Sequence, residues 1–568
     1  MKTRKQKFHY LLLQKIFWGL AILTIFNVDV KAQPLSKYFI PFTNKDNSPF
    51  SLSTPQSFLS TRAIQRRQNQ SIGYDWYDLP VNPSYVQQLA ATGVTVIGQS
   101  KWMNGVIIQT NDANALNLIQ SLPFVVNYIS VARTGQGDNQ PKWKDFPMET
   151  SMKAEKELSP VDYGSALNQI DMVGGLGLHN AGFKGQGKLI AVLDAGFPGV
   201  FGNIAFDSLN ARNGLVYVRD VVSPGNTITQ GSISAHGSYV LSIIAANMPG
   251  QMIGSAPGAE FALIRTEDAV TENIIEEYNW VIGAEIADSL GADIINSSLG
   301  YNLFDQSFMN HSFADMDGQT TIASIGANKA ASKGILVVVS QGNEGNSSWG
   351  RVVSPADADS ALAVGGVDSA SNYATLSGRG PSSDGDIKPN VVAKAYQTSY
   401  VSTGGQVLQG NGTSFASPIV SGLAACLWQA LPNLSAWDMK ELIEQSSSQF
   451  ASPDEFLGYG IPNFSYALVL MGEPKPQNAG SDELLLAFPN PFSNSIQLNF
   501  YSANNQLVTI QVRDMLGKMV YSNSKNVFHN AINKIQVDMP LNLEAGIYQI
   551  AVQTDKKLYT AKVIKLKK

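Results

Sequence analysis

The chain contains little cysteine and little charge, and both shortages narrow what it can be. Its 568 residues include one cysteine, Cys426, so no disulfide can form within the chain. Cys426 lies in an apolar stretch, where it is predicted to be a small buried side chain. Charged residues make up only 15% of the chain, the formal net charge is −5, and no Lys/Arg cluster forms a basic stripe. The composition therefore argues against a disulfide scaffold and against a nucleic-acid partner.

Long apolar runs are also scarce, and the clearest one lies near the N-terminus. Residues 2–7 carry four basic side chains, residues 16–26 are apolar, and a small-residue site ends at Ala32. This order predicts a secretory signal peptide. A retained membrane anchor is the alternative, but an apolar run of this length is short for a bilayer-spanning helix. We therefore expect export across the inner membrane and a soluble mature protein.

The chain is too long for one ordinary domain, and its pattern changes along its length. In the central region short apolar strands alternate with helices, which predicts an α/β fold with a doubly wound, mainly parallel sheet. A smaller α/β module precedes this region. After a proline-rich linker, apolar and polar residues alternate, which predicts an antiparallel β-sandwich. The predicted segments are 1–32, 33–134, 135–160, 161–471, 472–483 and 484–568.

The most informative segment is residues 411–418, with the sequence NGTSFASP. Residues 415–431 are small or apolar almost all round, as in a helix buried inside a domain. Ser414 would stand at the N-terminal end of that helix, where backbone N–H groups and the helix dipole favour negative charge. A serine in this place can act as a nucleophile if a base is within reach. Taken alone, it could equally be the N-cap of a core helix.

Two other segments supply the groups that such a serine needs. Residues 188–196 read as a buried strand that ends at Asp194, and His236 begins a second apolar helix. A neutral imidazole can accept the serine proton, and a carboxylate can fix the imidazole tautomer. The chain order Asp194, His236, Ser414 is that of subtilisin, whereas an α/β-hydrolase would run serine, acid, histidine.

The choice of His236 as the base follows from how few histidines there are. The chain has five. His9 lies in the predicted signal peptide and His529 in the C-terminal module. His179 and His311 lie in polar surroundings, and neither begins an apolar helix.

At these residues the chain resembles the subtilisin-like serine proteases, the subtilases. LIAVLDAGF, AHGSYVLSIIA and GTSFASPIVSG resemble the family's aspartate, histidine and serine motifs. The similarity covers about residues 160–470 and implies the subtilisin-like form of the doubly wound sheet. Residues 265–302 are close to a pattern typical of subtilases from the Bacteroidetes group. One position departs from the family, which usually has a second histidine where this chain has Tyr239.

The resemblance implies roles for further residues. Ser298, Leu299 and Gly300 would form the strand end that pairs with extended substrate backbone. Asn343 would be the oxyanion-hole asparagine, with the backbone N–H of Ser414 as the second donor. The alternative for Asn343 is a turn residue in a glycine-rich loop.

Glu344 follows the oxyanion asparagine, and the resemblance implies that it lies beside the primary specificity pocket. We expect it at a hydrated rim, where it would attract a substrate Lys or Arg without excluding apolar side chains. A surface glutamate without a role in selectivity is the alternative.

The flanking modules also resemble parts of known proteases. The module at 33–134 resembles a pro-domain that assists folding and inhibits the active site, with cleavage inside 134–160. A permanent accessory domain is the alternative. FPNPF, DMLGK and AGIY in the last module resemble the C-terminal sorting domain of type IX secretion. The alternative is a carbohydrate- or protein-binding β module, although its sequence offers no aromatic platform.

Together these patterns predict a secreted serine endopeptidase of broad specificity, since backbone pairing accepts many substrate sequences. Its expected partners are polypeptide substrates and the type IX secretion machinery. We expect a monomer that is either released or attached to the outer surface. The sequence points to no certain cofactor, and it leaves the requirement for a metal open. The resemblance implies Asp315 and Asp317 as candidate ligands of structural calcium; their spacing lacks a full set of oxygen ligands, which favours the alternative of an ordinary polar loop. The alternative is a catalytically silent subtilase-like protein that binds peptides or serves at the cell surface.

Overall fold

The structure is a computed structural model, and it describes most of the chain. The predicted signal peptide, 1–32, and the predicted cleavable linker, 135–160, lie outside the described residues. None of the helices in the described part is long and apolar enough to cross a membrane. The described residues are 36–132, 162–231, 233–471, 483–502, 504–527, 531–540 and 543–566.

The N-terminal module is a small α/β unit with its own core. Four antiparallel strands lie in the order β2-β3-β1-β4. Ile40, Val106 and Ile108 are fully buried between this sheet and its helices. The strands are β1 Lys37–Pro41, β2 Thr95–Ser100, β3 Gly105–Gln109 and β4 Ile129–Ala132, and the helices are α1 Thr61–Asn69, α2 Pro83–Ala90 and α3 Ala113–Gln120.

The central domain is built on seven strands whose pairings are all parallel, which confirms the predicted doubly wound sheet. The strands, in sheet order, are β13 Val391–Lys394, β12 Leu362–Val367, β11 Leu336–Ser340, β10 Ile294–Ser297, β5 Leu189–Asp194, β9 Glu260–Arg265 and β6 Leu215–Asp220. Two short hairpins accompany the sheet, β7 Asn247–Met248 with β8 Met252–Ile253, and β14 Thr398–Val401 with β15 Val407–Gly410. The helices are α4 Leu167–Asp171, α5 Gly175–Asn180, α6 Asp207–Ala211, α7 His236–Ala245, α8 Ile275–Leu290, α9 Ile322–Ser332, α10 Thr413–Ala430, α11 Ala436–Gln445 and α12 Phe464–Leu470.

Helices cover both faces of this sheet, which is why consecutive positions of its inner strand β5 are apolar up to its last residue, Asp194. In β5 the side chains of Ile190 and Val192 pack in the core shared with α7 and α10. Leu189, Ala191 and Leu193 point to the other face, into the core shared with α8 and α9. A strand buried on both faces reads as a continuous apolar run rather than an alternating one.

The strand order reverses at β5, and this reversal fixes where a site can form. After β5 the chain adds β6 and β9 on one side, and it then returns to add β10 to β13 on the other. Open α/β sheets bind ligands in the crevice at the carboxyl ends of the strands that flank such a reversal. The candidate residues at the ends of β5 and β10 therefore face one crevice.

The N-terminal module packs on the outer face of α8 through both apolar and charged contacts. The rings of Phe39 and Tyr278 have centroids 4.4 Å apart. Asp288 lies in ion pairs with Arg66 at 2.6 Å, Arg67 at 2.8 Å and Lys101 at 2.9 Å, all buried. Burial alone would raise the pKa of the Asp288 carboxyl, but the three cations hold that pKa well below its usual value.

The C-terminal module is a sandwich of two antiparallel sheets, as its alternating sequence predicts. One sheet has the order β16-β17-β20 and the other β19-β18-β21-β22. In β18, Val508, Ile510 and Val512 face the core between the sheets, while Gln511 is only partly buried. The strands are β16 Glu483–Phe488, β17 Ser495–Ser502, β18 Gln506–Asp514, β19 Met519–Val527, β20 Ala531–Asp538, β21 Gly546–Gln553 and β22 Leu558–Lys565.

Candidate active site

Asp194 and His236 meet at the carboxyl end of β5. Asp194 is the last residue of the strand, and the backbone N–H of Ala195 donates to its Oδ1 at 2.7 Å. His236 begins α7, and its Nδ1 lies 2.8 Å from Asp194 Oδ1 and 3.0 Å from Oδ2. Both side chains are buried. A carboxylate in this position favours the tautomer with its proton on Nδ1, which leaves Nε2 as a proton acceptor.

Ser414 lies in the first turn of α10, and the residue that follows it contacts the histidine. The rings of His236 and Phe415, the residue after Ser414, are stacked with centroids 6.3 Å apart and planes at 24°. Ser414 is 2% exposed, and its hydroxyl makes no hydrogen bond with another residue in the described part of the chain. Gly412 precedes the helix with φ of +151°, a conformation that favours glycine. The fold thus brings the three candidate residues to one place.

Asn343 follows β11 and is oriented by a residue that the sequence reasoning did not single out. Its Oδ1 accepts from the backbone N–H of Thr413 at 2.8 Å and from the Thr413 hydroxyl at 3.0 Å. Because the amide oxygen is occupied in this way, the NH₂ group remains as the donor for a ligand. Thr413 stands inside the serine motif, so its position in the sequence was a signal, but its contact with Asn343 spans 70 residues.

The segment after β10 reaches the same crevice. Ser298 donates from its hydroxyl to the backbone oxygen of Ser414 at 2.9 Å, so its side chain anchors the start of α10. Leu299 is buried, whereas Gly300 is exposed. A Cβ at Gly300 would lie 2.5 Å from Cγ2 of Val353, so this position requires glycine. The side chains of Ser298 and Leu299 are thus turned to internal contacts. The resemblance implies that a substrate would pair with the backbone of this segment.

Glu344 differs from the prediction that it is hydrated. The residue is half-buried overall, but its Oε2 is enclosed and makes no hydrogen bond within the described residues. Burial raises the pKa of this carboxyl to about 7, against a smaller opposing effect of the backbone N–H groups of Asn343 and Glu344 itself. The carboxyl folds back towards Gly342: a Cβ built on Gly342 would lie only 2.3 Å from Oε2 of Glu344. The expectation of a solvated rim is therefore wrong.

The other described histidines have structural partners away from this crevice. His179 contacts the Tyr163 hydroxyl at 2.7 Å and the backbone oxygen of Ser255 at 2.9 Å. Burial lowers the pKa of His179 to about 4. His311 is hydrogen-bonded to Glu277. Cys426, as predicted, is a buried side chain.

Asp315 and Asp317 cap turns, and among the described residues neither belongs to a group of three or more closely spaced potential metal ligands. Asp315 accepts from the backbone N–H and the hydroxyl of Ser312, and Asp317 accepts from the backbone N–H groups of Gln319 and Thr320. Their oxygens therefore cap turns. Two other trios of carboxylates approach within 4.8 Å, but clustered acidic oxygens alone do not define the full ligand set of calcium. The trios are Glu267, Glu272 and Glu276, and Asp359, Asp384 and Asp386.

Comparison with known proteins identifies the family. The subtilase family model matches residues 185–460. A subtilisin of Bacillus pumilus is 30% identical over 293 residues, which are 51% of this chain and 94% of the relative. Subtilisin E of Bacillus subtilis is 30% identical over 293 residues, 68% of its length. This chain belongs to the subtilase family. The subtilase is a serine endopeptidase, as its motifs predict.

Two further family models match the flanking modules of this subtilase. The peptidase S8 propeptide domain of Bacteroidota matches residues 37–145, and the secretion system C-terminal sorting domain matches residues 486–566. These matches confirm that the N-terminal module resembles a subtilase pro-domain and that the C-terminal module resembles a type IX sorting domain. The sorting domain indicates a secreted or outer-surface location. Among solved structures, MycP1 from Mycobacterium smegmatis is 19% identical with a TM-score of 0.43, covering 59% of this chain and 92% of its own.

Proposed function

We propose that this subtilase is a secreted endopeptidase that hydrolyses polypeptides through Asp194, His236 and Ser414. The observation that carries the proposal is the buried Asp194–His236 pair at the start of α7, stacked against the residue that follows Ser414. A carboxylate, an imidazole and a serine hydroxyl in this order have the three roles that acyl transfer needs.

The reaction proceeds in two halves. The Ser414 Oγ attacks the scissile carbonyl carbon while Nε2 of His236 takes the hydroxyl proton. His236 then gives that proton to the leaving amine, and the peptide bond breaks to leave an acyl ester on Ser414. A water molecule then attacks the acyl carbon while Nε2 of His236 takes its proton. The ester bond to Ser414 Oγ breaks, the carboxyl product leaves, and His236 returns the proton to the serine oxygen. Asp194 orients His236 throughout and stabilises its charged form.

The oxyanion is held by donors that are fixed before the reaction. The NH₂ group of Asn343 is one donor, since Thr413 occupies its amide oxygen. The backbone N–H of Ser414 is the other, because N–H groups in the first turn of a helix have no intrahelical partner. Preorganised donors of this kind favour the charged tetrahedral intermediate over the neutral carbonyl.

Residues 33–134 act as a pro-domain in this proposal, and the enzyme cuts itself within 135–160. The propeptide match at 37–145 and the packing of this module on α8 support this role. The C-terminal module, 484–568, directs the monomeric enzyme through type IX secretion to the outer surface or beyond it. Specificity is broad, because the substrate strand would pair with backbone at Ser298, Leu299 and Gly300.

Hydrolysis of a denatured protein tests this proposal when four purified variants, three at the triad and one control, are compared with the unmodified enzyme. Asp194→Asn, His236→Ala and Ser414→Ala should each lose turnover by several orders of magnitude. The matched control is Ser417→Ala, since Ser417 is another buried serine of α10 and its hydroxyl bonds only Asn296 among described residues, at 3.0 Å. Full hydrolysis by Ser414→Ala would refute the proposed nucleophile.

A further inference from the structure

Four aromatic rings form a circuit of three contacts that starts at the proposed base and returns to the same helix. His236 stacks on Phe415 with centroids 6.3 Å apart. Phe415 stacks on Tyr400 at 5.3 Å and 18°, and Tyr400 meets Tyr239 at 4.7 Å and 40°. Tyr239 lies three residues after His236 in α7, so it is on the same face of that helix. The circuit therefore begins and ends on the helix that carries the base.

The circuit joins three separate elements. His236 and Tyr239 belong to α7, Tyr400 to β14, and Phe415 to α10. A hydroxyl reinforces the link between α7 and β14, because Ser242 donates to the backbone oxygen of Tyr239 at 2.7 Å and accepts from the backbone N–H of Val401 at 2.8 Å. The helix with the nucleophile is thus tied to the helix with the base through a third element.

The rings leave little room for movement. Phe415 is fully buried and Tyr400 is 4% exposed. A Cβ at Gly410 would overlap the ring of Phe415 and lie 3.1 Å from Cε1 of Tyr400, so glycine is needed beside the stack. Offset stacks at these separations favour a defined mutual orientation of the rings.

We infer that Tyr239 and Tyr400 are positioning residues that hold the imidazole of His236 in line with Ser414 through Phe415. This inference rests on the proposed triad. It also gives a physical role to Tyr239, which stands where subtilases usually have a second histidine. The Asp194 contact fixes one edge of the imidazole, and the stack restrains rotation of its plane. A small misplacement of a catalytic group slows the chemical step far more than it weakens substrate binding.

Replacing the rings by leucine tests the inference. Tyr400→Leu and Tyr239→Leu should each lower kcat per active site by about tenfold or more, with KM changed by no more than about twofold. Tyr400→Phe and Tyr239→Phe should restore kcat, since each keeps the aromatic ring and its contact in the stack and removes only the hydroxyl. Tyr239 is only half-buried, so replacing it by leucine should disturb folding less than the same change at the buried Tyr400. If Tyr400→Leu does not fold, Tyr239→Leu still tests the inference.

A matched control separates positioning from general loss of packing. Tyr459 and Phe450 form a similar pair, with centroids 5.3 Å apart and planes at 35°. The backbone N–H of Tyr459 donates to the backbone oxygen of Asn390, at the N-terminal end of the edge strand β13, whereas Asp194 lies at the C-terminal end of the inner strand β5. Tyr459→Leu should lower the melting temperature by a similar amount and leave kcat unchanged.

The outcomes distinguish this inference from the proposed function. Unchanged kcat in both leucine variants, or an equal loss in Tyr459→Leu, would overturn the positioning role while His236→Ala remains inactive. An active His236→Ala would instead refute the proposed base, whatever the tyrosine variants do. Failure of the phenylalanine variants to restore kcat would also overturn a role for the rings.

Discussion

Thr413 and Asn343 are joined by two hydrogen bonds that converge on one amide oxygen. The backbone N–H of Thr413 donates at 2.8 Å and its hydroxyl at 3.0 Å, the hydroxyl proton being shared with the backbone oxygen of Gly342 at 3.1 Å. The residue before the proposed nucleophile therefore orients the proposed oxyanion donor. These contacts tie the position of the proposed oxyanion donor to the start of α10, which carries the proposed nucleophile.

Removing these groups separately should give graded losses of turnover. Asn343→Ala should lower kcat by about 10²–10³, a magnitude taken from subtilisin for the loss of this kind of donor. Thr413→Val keeps the backbone bond but loses the hydroxyl bond, so we expect a loss of about tenfold, the scale of one hydrogen bond. Steady-state kinetics on one peptide substrate measure kcat for both variants. Equal losses of kcat in Asn343→Ala and Thr413→Val would contradict the view that Asn343 is the donor and Thr413 only orients it.

The preference between basic and apolar substrate side chains should depend on pH through Glu344. Because burial raises the pKa of this carboxyl to about 7, it is mostly neutral at about pH 6 and mostly charged at about pH 8. Only the carboxylate attracts a substrate lysine, so the ratio of kcat/KM for Lys over Phe should rise several-fold across this interval. A matched pair of peptides that differ at this one position measures the ratio.

Glu344→Gln is the control for this dependence, since it keeps the shape of the side chain and cannot ionise. Its Lys-to-Phe ratio should be low and independent of pH, while cleavage after Phe or Leu stays nearly unchanged. Added salt should weaken the effect in the unmodified enzyme. If both enzymes have the same ratio at low salt above pH 8, Glu344 has no role in selectivity.

The sequence predicts the catalytic segments well because each is a local pattern. An apolar strand that ends in Asp194 and an apolar helix that begins at His236 are visible without the fold. The strands β6 and β13 do not stand out in the same way. Val216 and Val218 of β6 are exposed at the sheet edge, and β13 is only four residues long, so neither gives a long apolar run.

Other features could not be predicted because they depend on contacts between distant segments. The enclosure of Glu344 and the orientation of Asn343 are set by residues that only the fold brings near. Tyr400 lies in a short hairpin with no distinctive pattern, yet it contacts both α7 and α10. The buried Asp288 likewise looks like a surface residue of α8 until the N-terminal module packs on it.

Maturation should depend on the enzyme's own nucleophile. If residues 33–134 are a pro-domain, Ser414→Ala should accumulate as an uncut form that still carries this module. The Ser417→Ala form should be processed like the unmodified enzyme. Intact mass measurement of the secreted proteins distinguishes the forms. Equal processing of the Ser414→Ala form would mean that another protease makes the cut or that the module is permanent.

Broad specificity should appear in the products of a complex digest. Pairing between substrate backbone and residues 298–300 accepts many sequences. Digestion of a denatured protein mixture, followed by sequencing of the new termini, should give cleavage after several large apolar residues, with Lys accepted better than Glu. Recovery of a single strict motif would contradict a recognition mode based on backbone.

The central claim is that Ser414 is a nucleophile activated by His236, and site-resolved labelling of the mature enzyme tests it most directly. A fluorophosphonate probe should modify one serine, mapped by peptide mass spectrometry to Ser414. The His236→Ala form should be labelled at least about 10³-fold more slowly. Absence of labelling in correctly processed enzyme, or modification at another serine, would contradict this account and favour a catalytically silent peptide-binding protein.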